Sequence, residues 1–341
     1  MICFGGYQEC SDCFCPEAVL CKVELLLNGK KNYYFVSFDV VSFSYKRLFK
    51  NLAIMNEEKD VKKDLDIIEK AQKVKEVESP VKKGLKTKEE IVYNWLPRYT
   101  GRPLNQFSDF ILLTNFSKYL QLFSEWHDNA PIMGLDKPMQ SVSAAGITII
   151  NFGMGSPMAA TMMDLLTAIK PKAALFLGKC GGLKKKNSIG DLILPIAAIR
   201  GEGTSNDYLP AEVPALPSFA LQKAISTTIR DHSRDYWTGT VYTTNRRVWE
   251  HDKEFKRYLK SLRAMAVDME TATIFTAGFA NKIPTGALLL VSDQPMIPEG
   301  VKTAESDSKV TENFVETHLR IGIDSLKQLI NNGLTVKHLK F

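Results

Sequence analysis

The segment AVDMETATIF, residues 266–275, sets two carboxylates, Asp268 and Glu270, on either side of a methionine in an otherwise apolar run. Acids that close to a core need hydrogen-bond donors, a shared proton or a polar ligand, because an ionised carboxylate without partners is costly to bury. A third acid, Asp293, closes the run LLLVSD directly after Ser292. At the end of so apolar a segment its carboxyl is either a helix cap or a general acid held partly dehydrated. Basic groups stand in comparable places. Lys179 sits among Gly178, Gly181 and Gly182 in LGKCGGL, Arg200 precedes Gly201 and Gly203, and Arg246, Arg247 and Trp249 share TNRRVWE. A lysine among glycines and a guanidinium both suit phosphate, and an aromatic plane can stack on a base. Taken singly, each arginine reads better as a surface ion pair.

Gly153 and Gly155, in NFGMGSPMAA, stand between an apolar β-prone run and a helical pattern. Glycine there lets the backbone approach a ligand, and the following helix N-terminus favours an anion. A dinucleotide fingerprint is rejected: the third glycine position holds Met158, and KAALFL lies where the acidic residue should be. Cys180 has no histidine in a useful motif and reads as a small buried apolar residue. The histidines lack ligand spacing and the Cys10, Cys13, Cys15 group lacks a clear fourth ligand, so no metal is expected. No cofactor is expected either.

These residues must be positioned by a fold. The run from about residue 90 alternates apolar β-prone segments (DFILLT, GITIINF, AALFLG, DLILP, GTVYT, AMAVD, GALLLVS) with helical patterns such as PMAATMMDLLTAI and SFALQKAISTTIRD. It closes on a long amphipathic helix stopped at Gly333. Fully apolar strands alternating with helices predict an α/β fold with its sheet covered on both faces, and function at the loops after strand ends. Upstream, residues 55–90 carry ten acids and ten lysines and read as a charged helix or linker, broken near Pro80 and Gly84. Residues 1–54 form an atypical segment with five of the six cysteines and an aromatic stretch, NYYFVSFDVVSFSY, able to pair as a strand. Met55 is a candidate alternative start, which would leave residues 1–54 outside the working protein; residues 91–341 are then the catalytic domain.

The chain of 341 residues is 45% hydrophobic with a net charge of +6. Its lysines and arginines are scattered, so no nucleic-acid partner is expected. Cysteine usage argues against a disulfide-built secreted fold, and with no secretory signal and no membrane-length apolar run a cytoplasmic location is expected.

In series, the Gly153–Gly155 loop, GKCGGL, GDLILP, the Met269–Glu270 pair in DMETA and the strand-ending Ser292–Asp293 resemble the purine nucleoside phosphorylase and nucleosidase superfamily, over roughly residues 105–331. Within it, TGTVYTTNRRVWE and CGGLKKKNSIGDLILPIAAIRGEGTS look like segments of the branch that hydrolyses AMP. The resemblance implies a three-layer α/β/α fold around a distorted, mostly parallel sheet. It also implies a homo-oligomer (dimer, trimer or hexamer), often with sites completed by a neighbouring subunit. Met269 would pack on the ribose and Glu270 accept from its hydroxyls, with Asp268 the structural acid of the two. Asp293 would act as general acid at the adenine five-membered ring.

Many phosphorylases carry a Gly-Asp-Pro turn followed by an arginine after the first strand. Here that place reads LLTNFSKYL, with Asn115 and Phe116, and Phe176 stands where bacterial purine phosphorylases place another arginine. Water is therefore the expected nucleophile, its general base not identifiable. Lys179, Arg200 and Arg247 are the candidates for the 5′-phosphate. A phosphorylase or nucleosidase on the same fold, and a non-catalytic nucleotide-binding protein, are the alternatives.

Overall fold

The computed structural model describes residues 19–27, 30–38 and 86–332. The chain divides into two units, residues 1–84 and 85–341. In the first, β1 (Val19–Leu27) and β2 (Lys30–Phe38) pair antiparallel from Val19–Phe38 to Leu27–Lys30. The aromatic stretch thus supplies a strand. The Cys10, Cys13 and Cys15 group and the breaks near Pro80 and Gly84 lie outside the described residues, as does Gly333.

The second unit opens with α1 (Lys88–Thr100), capped by Thr87, whose side chain accepts from the Glu90 N–H while the Glu90 carboxylate accepts from the Thr87 N–H. There follow β3 (Phe110–Thr114), α2 (Ser117–Glu125), β4 (Gln140–Ala144), β5 (Ile147–Asn151), α3 (Ser156–Leu165), β6 (Ala173–Gly182) and β7 (Leu192–Gly201). The remainder is α4 (Phe219–Asp231), β8 (Trp237–Thr244), α5 (Lys253–Ser261), β9 (Ala266–Asp268), α6 (Thr271–Ala280), β10 (Thr285–Asp293) and α7 (Ala304–Asn332). All seven apolar runs singled out above lie on strands. β4, with sequence QSVSA, does not stand out because it is half polar, an outermost strand that pairs with β5 and, through Ser141, with Met133 in a single bridge.

The strands form one mixed sheet in the order β10-β7-β8-β9-β6-β3-β5-β4, and a further β10–β6 pairing joins the first strand back to the fifth. The pairs β4–β5, β6–β9 and β7–β10 are antiparallel and the others parallel. Successive residues of a strand point to opposite faces, and β6 illustrates the consequence. Ala174, Phe176 and Cys180 join an apolar layer with α1, α3 and α6, while Ala173, Leu175 and Leu177 join another with α2, α4 and α7. β10 divides likewise, with Leu289 and Val291 on one side and Leu288 and Leu290 on the other. A strand buried on both faces has no polar face, which is why these two read as unbroken apolar runs. His318 of α7 fastens one layer: it bonds the Tyr119 hydroxyl through Nδ1 at 2.7 Å and the Leu288 carbonyl through Nε2 at 2.9 Å. Burial lowers its pKa to about 4, so it stays neutral.

Candidate active site

The ends of β3, β6, β8, β9 and β10 open into one cleft, where an α/β sheet leaves its loops free to meet a ligand. Lys179, Arg247, Trp249, Met269, Glu270, Ser292 and Asp293 all line it, so most of the residues singled out from sequence are brought together.

The three acids meet different surroundings. Asp268 is buried and accepts from the Thr243 hydroxyl at 2.7 Å and the Thr271 N–H at 2.7 Å, and also from the Thr271 hydroxyl and the Glu270 N–H. Burial pushes its pKa up and these donors pull it back. Its carboxylate is committed to closing the first turn of α6 and tying it to β8, which is a structural task. Glu270 is equally buried but less well supplied. Its carboxylate accepts from the Gly155 N–H at 2.7 Å, from the Met269 N–H at 3.3 Å and from the Asn115 amide. Burial first, then the neighbouring Asp268 charge, push its pKa up to about 8. This acid faces the cleft with capacity for further donors. Asp293 accepts from the Ser292 hydroxyl at 2.7 Å. Burial raises its pKa, opposed by the Ser292 bond and by the Lys302 and Arg247 charges, with Glu250 adding to the rise. That is the environment a general acid needs, shielded enough to hold a proton and charged enough to release it.

The glycine loop reaches the site in a different capacity from the expected ligand contact. Gly155 adopts φ 91°, ψ 159°, a region essentially reserved for glycine. Its N–H is thereby aimed at Glu270, while the Ser156 hydroxyl donates to the Met269 carbonyl at 2.6 Å. Gly153, at φ 87°, donates its N–H to Asn151 Oδ1. The loop braces the Met269–Glu270 pair, and only Met154 between the glycines lines the cleft.

Arg200 is a correction. It points into the loop that follows β7, where its guanidinium donates to Ser205 Oγ, Asn206 Oδ1 and the carbonyls of Leu209, Pro210 and Val213. A guanidinium has five N–H donors, and five bonds within its own loop leave none for a ligand. Arg247 lies at the cleft, half exposed, 3.7 Å from Glu250. Arg246 is held by Asp252 through both terminal nitrogens at 3.0 Å. Trp249 is buried, stands edge-on to Phe255 at 5.3 Å and borders the cleft. Cys180 is buried, and burial raises its thiol pKa, as expected of an apolar filler. Phe176 packs on Phe152 in the core, 5.8 Å between ring centroids. Among the described residues no cluster of three or more His, Cys, Asp or Glu side chains is arranged to hold a metal, and no helix is long and apolar enough to cross a membrane.

Lys302 and Glu250 were not singled out from sequence, yet both line the cleft. Lys302 lies in an undistinguished polar loop before α7, and its one local signal is that this loop follows the Asp293 strand.

A family profile described as the phosphorylase superfamily matches residues 130–330. The chain belongs to the phosphorylase superfamily. Among its relatives in the superfamily, AMP nucleosidase of Escherichia coli K12 is 31% identical over 286 residues, covering 70% of this chain and 58% of the relative. The chain thus spans somewhat more than half the length of that relative. A solved AMP nucleosidase from Bacteroides thetaiotaomicron is 60% identical, with a TM-score of 0.66, covering 72% of this chain and 99% of the other. Purine nucleoside phosphorylase from Toxoplasma gondii, at 18% identity and TM-score 0.60 over 68% of this chain and 95% of the other, shares the superfamily's nucleoside phosphorylase-like α/β fold.

Proposed function

We propose that the protein hydrolyses the N-glycosidic bond of AMP, giving adenine and ribose 5-phosphate. The observation that carries this reading is the meeting, in one cleft, of a shielded acid at Asp293 with the Met269–Glu270 pair braced by the glycine loop. Asp293 shares its proton with the five-membered ring of adenine, making the base a better leaving group. The C1′–N bond lengthens and positive charge develops on the ribose. The ribose hydroxyls add donors that favour the ionised form of Glu270 against the rise caused by burial, and the carboxylate then stabilises that charge in a site already formed. Met269 lies against the sugar, and water bonds to the anomeric carbon as the C1′–N bond breaks, releasing a proton that replaces the one Asp293 gave to adenine.

Water rather than phosphate is supported by the residues at the places where phosphorylases bind the inorganic anion. Asn115 is engaged with Glu270, and Phe176 is a core residue. The three-layer α/β/α arrangement with a mostly parallel sheet, and assembly into a homo-oligomer, belong to the same reading; the apolar layers on both faces of the sheet support the first.

The test is product analysis after incubation with AMP, with and without inorganic phosphate. Adenine and ribose 5-phosphate in both reactions is the expected result. A strict need for phosphate, with a phosphorylated C1 in the product, would replace hydrolysis by phosphorolysis.

A further inference from the structure

One wall of the cleft carries an arrangement that the reaction above does not use. Lys179, in the last part of β6, donates to Asp307 Oδ1 at 2.9 Å and to Thr311 Oγ1 at 3.0 Å, both on α7. Lys302, from the loop before α7, reaches the same Asp307 oxygen, also at 2.9 Å. Because both bonds end on one atom, the two ammonium groups are held close together. Both lysines line the cleft, and Lys179 is almost fully enclosed, its side chain 5% exposed and its nitrogen 4.6 Å from the Phe116 ring centroid. One carboxylate thus faces two cations, and Arg247 adds a third positive group to the same cleft. Enclosing a lysine beside a second lysine costs free energy unless a strong anion compensates. A single carboxylate oxygen compensates for only part of that charge.

We propose that Lys179 and Lys302 form the phosphate-binding pair of this cleft, with the Asp307 carboxylate occupying the anion position until a phosphate group arrives. This rests on the reading of the substrate as a nucleoside monophosphate. It gives Lys302 and Asp307 specificity roles and replaces Arg200 as the second phosphate contact. The chemistry follows from the groups. A phosphate monoester is dianionic near neutral pH and offers three oxygens, so it can accept from both ammonium groups together. Asp307, with one charge and a fixed position on α7, matches that only partly and gives way by a side-chain rotation. Lys302 joins the phosphate contact to the loop that carries Asp293 onward to α7. The anchored end of the substrate is thus coupled to the element that presents the acid, which is how remote binding can orient a reacting centre.

The experiment compares the dissociation constants of AMP and adenosine by calorimetry for the full chain with and without Lys302→Ala, both carrying Asp293→Asn so that the nucleotide is not consumed during the titration. Losing one charge-assisted bond should lower the preference for AMP over adenosine by about tenfold to a hundredfold. Lys302→Arg should recover part of it. Asp307→Asn, which removes the competing charge, should raise the preference instead. Equal weakening of AMP and adenosine in Lys302→Ala overturns the proposal, and a lowered preference in Asp307→Asn overturns the displaced-carboxylate step. Inorganic phosphate separates the two sources of the group. Competition with AMP, weakened in Lys302→Ala, supports the nucleotide's own phosphate on the pair; simultaneous binding of phosphate and AMP overturns it. Because binding is read directly, wild-type protein that binds AMP through Lys302 but releases no adenine would refute hydrolysis and leave this inference standing.

Discussion

Asp268, Glu270 and Asp293 show how neighbours assign different tasks to one functional group. Four donors hold Asp268 to α6 and β8, so it is committed to structure. Asp293 has the Ser292 hydroxyl as its hydrogen-bond partner, with cationic groups near enough to favour proton release. Asp293→Asn should keep nucleotide binding and lose about 10²–10⁴-fold in turnover, the usual contribution of general acid catalysis. Steady-state assays on folded protein check this, and near wild-type turnover would remove the assignment. Glu270 leads to a linkage prediction. Its pKa rises from 4.5 to about 8 on folding, so between those values the folded protein holds more proton than the unfolded chain. The contribution of this group to stability therefore falls as pH rises through that window, by about 1.4 kcal/mol per unit at most. Denaturant titrations from pH 5 to 8 should show a steeper decline for the wild type than for Glu270→Gln. Parallel curves would mean that Glu270 ionises normally.

At the scale of elements, the site depends on how the short β5–α3 connection is held. Its glycine at position 155 is required by conformation rather than by crowding, since the nearest atom to an added Cβ is the Pro157 Cδ at 3.9 Å. A side chain would fit in space and still be strained at φ 91°. Gly155→Ala should cost about 1–3 kcal/mol in unfolding free energy. It should also weaken substrate binding, because the N–H that braces Glu270 must turn away. Denaturation and KM measured on the same preparation test both. A fully stable variant with unchanged KM would show that the loop does not support the acid. Elsewhere α7 takes part in two ways: His318 binds it to the core, and Asp307 and Thr311 bring it to the cleft lysines. One long helix therefore joins a rigid packing layer to the candidate phosphate contact.

The chain divides into two units, and every residue assigned to the cleft belongs to the one from Leu85 onward. The family match, from residue 130 to 330, falls inside that unit. We expect a chain beginning at Met55 to remain soluble and to cleave AMP, because every residue assigned to the site lies after Met55 in the sequence. Size-exclusion chromatography and an adenine-release assay decide it. Aggregation or loss of activity would make residues 1–54 part of the working protein.

Sequence by itself determined the α/β class and the strand-end placement of Glu270 and Asp293, whereas Lys179, read as following a strand, lies within β6, which runs on to Gly182. It could do so because strands buried on both faces must be continuously apolar, and the polar residues that interrupt them mark where they emerge. It missed β4, whose half-polar pattern belongs to an outermost strand of the sheet. Only the tertiary structure separated Asp268 from Glu270. The difference lies in the Thr243 hydroxyl and the Gly155 N–H, donors 25 and 115 residues away in the chain. It also removed Arg200 from the site, since its own loop folds back to take all its donors, and added Lys302 from a loop without a motif. A side chain's charge can be read locally, but its partner is chosen by the path of the rest of the chain.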